Sequence, residues 1–418
     1  MKTQLPPMYS ERWTSASELA IACNNNTSFF FATPTQTMFA EGVRSRLPQS
    51  SSTINPSNLP QQAREFLQQQ MQNYWCPTLL VGAIPFDDSA AVNLFVPDRL
   101  HRAQPLTNPA AVSGLGVARP SQSLAIPDPT TYQENVAQGL ALIDQSELIK
   151  VVLSRSLELS FSDDIDFGQL IGNLANSNRH GYTYLIDLVD AIDGHTSQGS
   201  HTSLIPPHKL IGASPELLVR RRGLKVEANP LAGSVALSGD PDRDSQQAYA
   251  LLNSKKDRYE HAVVVEAVAD ALRPFCDYLN VPSIPSIIET DTMMHLSTQI
   301  KGNLRDPDIC ALSVALALHP TPAVCGSPPE QAYDAIKAIE SFSRRYFTGM
   351  VGWMDDHGDG EWAVTIRCGE ARGRCLRLYA GAGVVAGSSP AKELAETSAK
   401  LRTMLKALGL NDLLEVSV

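Results

Sequence analysis

The chain has no CxxC pair, and its seven cysteines are an odd number scattered from Cys23 to Cys375. That pattern argues against a disulfide framework or a cysteine-rich zinc site and fits buried thiols in a reducing compartment. The N-terminus lacks the basic segment, apolar core and small-residue cleavage site of a secretory signal. Apolar runs such as Ala311 to Leu318 are far too short to cross a bilayer. No basic run is present and the formal net charge is -10, so neither nucleic acid nor membrane is an expected partner. Internal repeats are also missing. What remains is the expectation of a soluble, cytoplasmic globular protein, with 43% hydrophobic and 19% charged residues. The acidic balance would repel an anionic ligand, so a site for one needs local positive charge.

Short strand-like runs occur at 28–32, 78–86 and 91–96, separated by Ser- and Pro-rich joints. Residues 102–131 hold many Pro, Ser, Gly and Ala without a clear period and read as a surface loop. The pattern then tightens. It predicts a helix over 133–145, a strand over 150–160, a further helix, and a strand around 182–189. Strands and turns follow over 210–237, then one long helix from about 245 to 272 and a strand over 293–302. Helices over 311–318 and 330–341 precede strands at 347–354, 361–369 and 375–382, which look hairpin-linked. Antiparallel strands with interspersed helices predict an α+β fold.

The final helix carries its charges in an informative order. Ser389 is a candidate N-cap and Pro390 fits the first helical position. At about 100° per residue, Glu393, Glu396 and Lys400 fall within roughly 60° of one another. Leu394, Leu401, Met404, Leu405 and Leu408 form an apolar stripe beside them. A second acidic pair at the same spacing, Asp257 and Glu260, lies in the predicted long helix. Carboxylates from two helices could hold a hard divalent cation. The competing reading is surface pairing at i,i+4, Lys256 with Glu260 and Lys400 with Glu396.

A set of short motifs runs in order through the chain. They are Lys150-Val-Val-Leu-Ser-Arg155, Leu210-Ile-Gly-Ala-Ser-Pro-Glu216, Pro230-Leu-Ala-Gly-Ser234 and Lys256-Asp-Arg-Tyr-Glu-His261. His319-Pro-Thr-Pro-Ala-Val-Cys-Gly326, Glu361-Trp-Ala-Val-Thr-Ile-Arg367, Ala380-Gly-Ala-Gly383 and Glu393-Leu-Ala-Glu396 complete the set. With them, the stretch from Lys150 onward resembles the chorismate-utilising enzymes, most closely the isochorismate synthases of siderophore pathways. Phe29-Phe-Phe-Ala-Thr-Pro34 and Val81-Gly-Ala-Ile-Pro-Phe86 extend the likeness toward the N-terminus. The resemblance implies one large domain over 1–418, with antiparallel sheets in the core and helices outside. Residues 1–101 are then a more divergent part, 102–131 a loop excursion, and 132–418 the part bearing the motifs.

The implied reaction is Mg2+-dependent isomerisation of chorismate, adding water at ring carbon 2 and expelling the hydroxyl from carbon 4. Such chemistry needs a base on one side of the ring and an acid on the other. By family match Lys150 is the base and Glu216 the acid. The lysine then needs its pKa lowered from about 10.4, and the glutamate needs its own raised by burial. Glu260 and Glu396 match the principal magnesium ligands, with Glu393 and Asp257 completing the shell or binding through water. Arg367 is the expected partner of a substrate carboxylate, because a guanidinium can bind it with two hydrogen bonds. Strand alternation places it on the face of Thr365. Lys400 and the backbone of Gly381 are implied substrate contacts, with Gly233, Ser234 and His295 lining the site. Phe347, Ile366 and Tyr379 are expected as its apolar wall.

Ala323 stands where relatives that eliminate pyruvate tend to have threonine, so the resemblance implies that the reaction stops at isochorismate. An isochorismatase is the candidate downstream partner, and no glutamine amidotransferase subunit is expected. Two alternatives stay open within the family: a lyase making salicylate, anthranilate or aminodeoxychorismate, and the menaquinone-pathway isochorismate synthase. A non-catalytic acidic scaffold would explain the carboxylate pairs but not Lys150, Glu216 and Arg367 in ordered motifs.

Overall fold

The computed structural model describes residues 15–48, 58–74, 78–87, 90–106, 119–188 and 206–414. Helix α1 (Ala16–Ile21), strands β1 (Thr27–Ala32) and β2 (Thr37–Arg46), and helix α2 (Leu59–Tyr74) come first. Strands β3 (Leu79–Ile84), β4 (Asn93–Ala103) and β5 (Gln122–Ile126) lead to α3 (Pro129–Gln145), β6 (Lys150–Ser160) and α4 (Phe167–Ser177). Then come β7 (Tyr182–Asp187), β8 (His208–Ser214), β9 (Leu217–Arg222), β10 (Lys225–Asn229) and β11 (Leu231–Ala236). Helices α5 (Pro241–Asn253) and α6 (Lys255–Leu272) precede β12 (Cys276–Asn280), β13 (Ser286–Glu289), β14 (Met293–Ser297) and β15 (Ile300–Leu304). The chain continues through α7 (Ala311–Leu318), the short β16 (Gly326–Ser327) and α8 (Pro329–Ile339). It finishes with β17 (Met350–Asp355), β18 (Gly360–Val364), β19 (Cys368–Arg372), β20 (Cys375–Val385) and α9 (Pro390–Ala407).

Seventeen strands form one antiparallel sheet, and β11, β14 and β13 form a small second one. Pairing runs without a break from β5 and β16, which share one edge of β6, through β20, β19, β8, β7, β1, β2, β4 and β3. It goes on through β17, β18, β9, β10 and β15 to β12. The α+β expectation of antiparallel sheets with helices outside therefore holds. β1 shows why the strands read as continuous apolar runs: every residue is buried, because both faces of the sheet are covered. Phe30 packs with α1, α4 and α9, while Phe29 and Phe31 join aromatic side chains that include Tyr184, Tyr346, Phe347, Trp353 and Tyr379. A third cluster seats α2, α6 and α7 against Met350, Trp362 and Val364. No helix among the described residues is long and apolar enough to cross a membrane.

Several sequence expectations change. The single helix expected from about 245 to 272 is broken at Ser254, whose hydroxyl accepts from Asp257 N and caps α6. The strand expected over 293–302 is two strands in different sheets. The stretch 102–131 contains the end of β4, strand β5 paired to β6, and the first turn of α3, while 107–118 lie outside the described residues. Ser389 occupies the N-cap position of α9, but its side chain makes no capping bond. The neighbouring Ser388 hydroxyl instead accepts from Val385 N.

Candidate active site

The long sheet has two places where the chain steps from one set of strand partners to another. β8 pairs with β7 and β19, yet β9, only three residues on, pairs with β10 and β18. β18 pairs with β17 and β9, yet β19 pairs with β20 and β8. The two bends are hydrogen-bonded together: Val364 N donates to Glu216 O at 3.2 Å, and Ala213 N donates to Arg367 O at 3.0 Å. Glu216 sits in the first bend and Arg367 in the second.

Arg367 is therefore not a strand residue, and the alternation used to aim it does not apply. Its backbone is left-handed (φ 50), as is that of Thr348 (φ 60), a conformation uncommon for non-glycine residues and concentrated at functional sites. This turn buries the guanidinium, whose Nη2 lies 3.1 Å from His295 Nε2. Because arginine only donates, His295 Nε2 must accept, which leaves its proton on Nδ1. Burial, with the charges of Arg367 and Lys400, holds the imidazole well below its usual pKa. Burial also lowers the Arg367 pKa to about 10, and Nε has no partner among the described residues. A buried donor without a partner is an unmet demand for an acceptor.

Glu216 is 3% exposed, and burial raises its pKa from 4.5 to about 7. A backbone hydrogen bond from Leu231 and the charges of Lys150, Arg367 and Lys400 oppose that rise without cancelling it.

On the other side of the site β6 lies against β20 in an eleven-residue register, Lys150 opposite Val385 and Val152 opposite Gly383. Lys150 is 1% exposed, and its Nζ donates to Glu260 Oε1 at 2.8 Å. A Cβ at Gly383 would stand 2.6 Å from that carboxylate oxygen and 2.9 Å from Lys150 Cε, so glycine is what lets the pair form there. Lys400 reaches from α9 to Gly381 O at 2.7 Å and to Glu396 at 2.6 Å, and Ser234 Oγ also donates to Glu396. Burial would raise the Glu396 carboxyl, but Lys400, Lys256 and Ser234 outweigh it and hold the pKa below the usual value. Glu393 is raised, by burial and then by the charge of Glu396, although Lys256 lies 3.5 Å away. Of the two surface pairs expected at i,i+4, Lys400–Glu396 forms. Lys256 turns instead to Glu393 on the other helix.

These groups surround a cavity of about 60 Å³. This is well below the ~300–1,000 Å³ of a typical small-molecule site. Glu216, Gly233, Ser234, Glu260, His295, Ala323, Phe347, Ile366, Arg367, Tyr379, Gly381, Glu396 and Lys400 line it. Phe347 and Tyr379 stack at 5.1 Å between ring centroids. Lys150, Asp257 and Glu393 were expected in the site but do not line the cavity: Lys150 stands behind Glu260, and Asp257 lies against Gly233. Among the described residues no group of three or more His, Cys, Asp or Glu converges closely enough to hold a metal. The carboxylates Glu260, Glu393 and Glu396 each carry a lysine ammonium instead.

Sequence reading missed Val152, Pro215, Leu231, Ala232, Val324, Thr348, Ala380 and Gly383 among the lining residues. Val152 follows Lys150 at the strand period of two, and Gly383 ends a motif already singled out, so both carried a signal. A larger hollow of about 640 Å³ lies between α2 and α7, but it gathers no converging set of charged groups.

A family profile described as "Chorismate binding enzyme" matches residues 98–409. The chain belongs to the chorismate-binding enzyme family. It is 49% identical over 384 residues to the isochorismate synthase DhbC of Bacillus subtilis, covering 92% of this chain and 94% of that protein. It is 42% identical over 406 residues to the vibriobactin-specific isochorismate synthase of Vibrio cholerae, covering 96% and 97%. The crystal structure of DhbC from Bacillus anthracis superimposes with a TM-score of 0.85 at 45% identity, covering 95% of this chain and all of that one.

Proposed function

We propose that this protein is an isochorismate synthase that adds water to C2 of chorismate and expels the C4 hydroxyl. The observation that carries the reading is Glu216, a cavity-lining carboxyl kept protonated up to about pH 7 by burial. In this reading Glu216 gives its proton to the departing hydroxyl. Lys150, as the neutral amine released from Glu260, takes the proton of the attacking water, and the ammonium and Glu216 carboxylate so formed are reset by proton exchange with water. The reaction consumes and regenerates water, so no other reactant is needed, and the reverse reaction exchanges the two roles. Arg367, with its unpartnered Nε, binds one substrate carboxylate, and Lys400 supports it. Gly233, Ser234, Gly381 and His295 shape the polar wall, and Phe347, Ile366 and Tyr379 the apolar one.

Glu260 and Glu396 fit a hard divalent cation, Mg2+ in this reading. They are oxygen donors on the cavity surface, and each holds a positive charge there already, in the form of a lysine. Glu393 and Asp257, which do not line the cavity, would act through water. When bound, the cation supplies positive charge for the second substrate carboxylate, which the chain's net charge of -10 would otherwise repel.

The Ala323 methyl lines the cavity and offers no hydroxyl to assist loss of the enolpyruvyl ether. That favours release of isochorismate over further elimination. The siderophore-type relatives favour 2,3-dihydroxybenzoate and a catechol siderophore as the destination, with an isochorismatase acting next. The test is incubation of the purified protein with chorismate and Mg2+, with and without ammonia, followed by chromatography. Isochorismate without pyruvate is the expected result. Salicylate, or anthranilate in the ammonia arm, would replace this reading with a lyase.

A further inference from the structure

β6 has a gap along its outer edge. β16 pairs with it at 150–151, where Val152 N also donates to Cys325 O, and β5 pairs at 156–160; among the described residues no strand pairs with the backbone between them. A buried ion pair fills that gap. Arg344 and Glu340 are 1% and 2% exposed at the side chain. Arg344 Nη2 donates to Val152 O at 2.7 Å, and Glu340 Oε1 accepts from Ser154 N at 2.8 Å.

The same guanidinium reaches two further segments. Nη1 donates to Val324 O at 2.8 Å and to Thr348 Oγ1 at 3.4 Å. Nε and Nη2 are also bound to Glu340, at 2.9 and 2.5 Å. All the N–H groups of the fork are thus engaged, which only arginine could achieve from one position. Phe86 lies 4.7 Å and Phe347 5.9 Å from its centre. Val152, Val324 and Thr348 are all cavity-lining residues, while Arg344 and Glu340 are not. One cation behind the wall therefore ties together the strand that begins with Lys150, the loop that carries Ala323, and the left-handed Thr348 beside Phe347.

We propose that the Glu340–Arg344 pair is a positioning element that holds the Lys150 edge of the cavity in register with its facing wall. The inference rests on the isochorismate synthase reading. The pair makes no hydrogen bond to Arg367, Lys400, Glu260 or Glu396. Loosening it therefore misaligns the base and leaves the substrate anchors in place, which separates turnover from affinity.

The test uses Arg344→Lys and the double variant Glu340→Gln/Arg344→Met. The double variant removes both charges together, so it leaves no unpaired buried ion and keeps an acceptor for Ser154 N. Chorismate consumption is followed by absorbance, with thermal melting of each variant. The expected result is a fall in kcat of about tenfold or more with KM within about threefold of the parent, since a displacement near 1 Å can cost about a hundredfold. If Arg344→Lys does not fold, the double variant decides. A folded variant with parental kcat, or a loss carried wholly by KM, overturns the proposal. A parent protein that leaves chorismate untouched overturns the proposed function instead.

Discussion

Glu216 and Glu396 are both carboxylates on one cavity, yet their surroundings push them in opposite directions. Among the described residues Glu216 makes no ion pair, and burial outweighs the charges of Lys150, Arg367 and Lys400, so its pKa rises to about 7. Glu396 has Lys400 at 2.6 Å, so charge wins over burial and its pKa falls. A shift from 4.5 to about 7 is worth about 3 kcal/mol. Because the folded carboxyl ionises less readily than the unfolded one, its ionisation costs stability. That cost is absent below the unfolded value of 4.5, grows as pH rises, and is complete above about 7. Glu216→Gln should therefore abolish turnover and stabilise the protein by about 3 kcal/mol at pH 8, with most of the gain gone at pH 5. Urea denaturation at the two pH values checks this, and a variant no more stable than its parent at pH 8 contradicts it. In the parent, kcat/KM for chorismate should fall as pH rises through about 7, where Glu216, the proposed acid, loses its proton.

Single elements deliver these residues through local features of different legibility. β6 runs over the predicted residues 150–160 and α7 over the predicted 311–318, because Val151–Leu153, Leu157 and Leu159 mark the one and a nearly continuous apolar run the other. The α5–α6 break was hidden by a helical period continuing across Ser254, and only the cap bond to Asp257 N reveals it. Arg367 was hidden for the converse reason: alternation persists through Thr365 in sequence, while the backbone turns left-handed at Arg367. On β20, Gly383 gives an element-level prediction. The atoms that an added Cβ would meet are the tips of Glu260 and Lys150, which can move, so Gly383→Ala should cost no more than about 1 kcal/mol of stability. Displacing that pair should still lower kcat/KM at least about tenfold. Steady-state kinetics beside a thermal melt decide it, and parental activity would remove the Lys150–Glu260 pair from the mechanism.

The whole molecule is organised by one unbroken antiparallel run, and its N-terminal strands are integral to that run. β1 pairs with β7, and β3 pairs with β17, whose hairpin partner β18 leads into the Arg367 bend. The family match begins at residue 98, yet a chain cut there would lose the neighbours of β7 and β17 and expose buried edges. Such a truncated chain should be insoluble or lack a cooperative melt, whereas the intact protein should unfold in one transition. Circular dichroism of both would show it, and a cooperative melt of the truncated chain would make the N-terminal part dispensable.

Sequence by itself determined the antiparallel α+β class, the motif order, and most of the residues that line the cavity. Those features depend on side-chain period and residue type, which are local. Tertiary structure decided which charge meets which. Lys150 meets Glu260 across 110 positions, and Lys256 chooses Glu393 over its own helix neighbour. Arg344, unremarkable in the sequence, binds Val152 O from 192 positions away. Such choices are set by which groups share a water-poor space, where electrostatic attraction is strong and an unpaired polar atom is costly. Burial of that kind arises only when distant strands close around it.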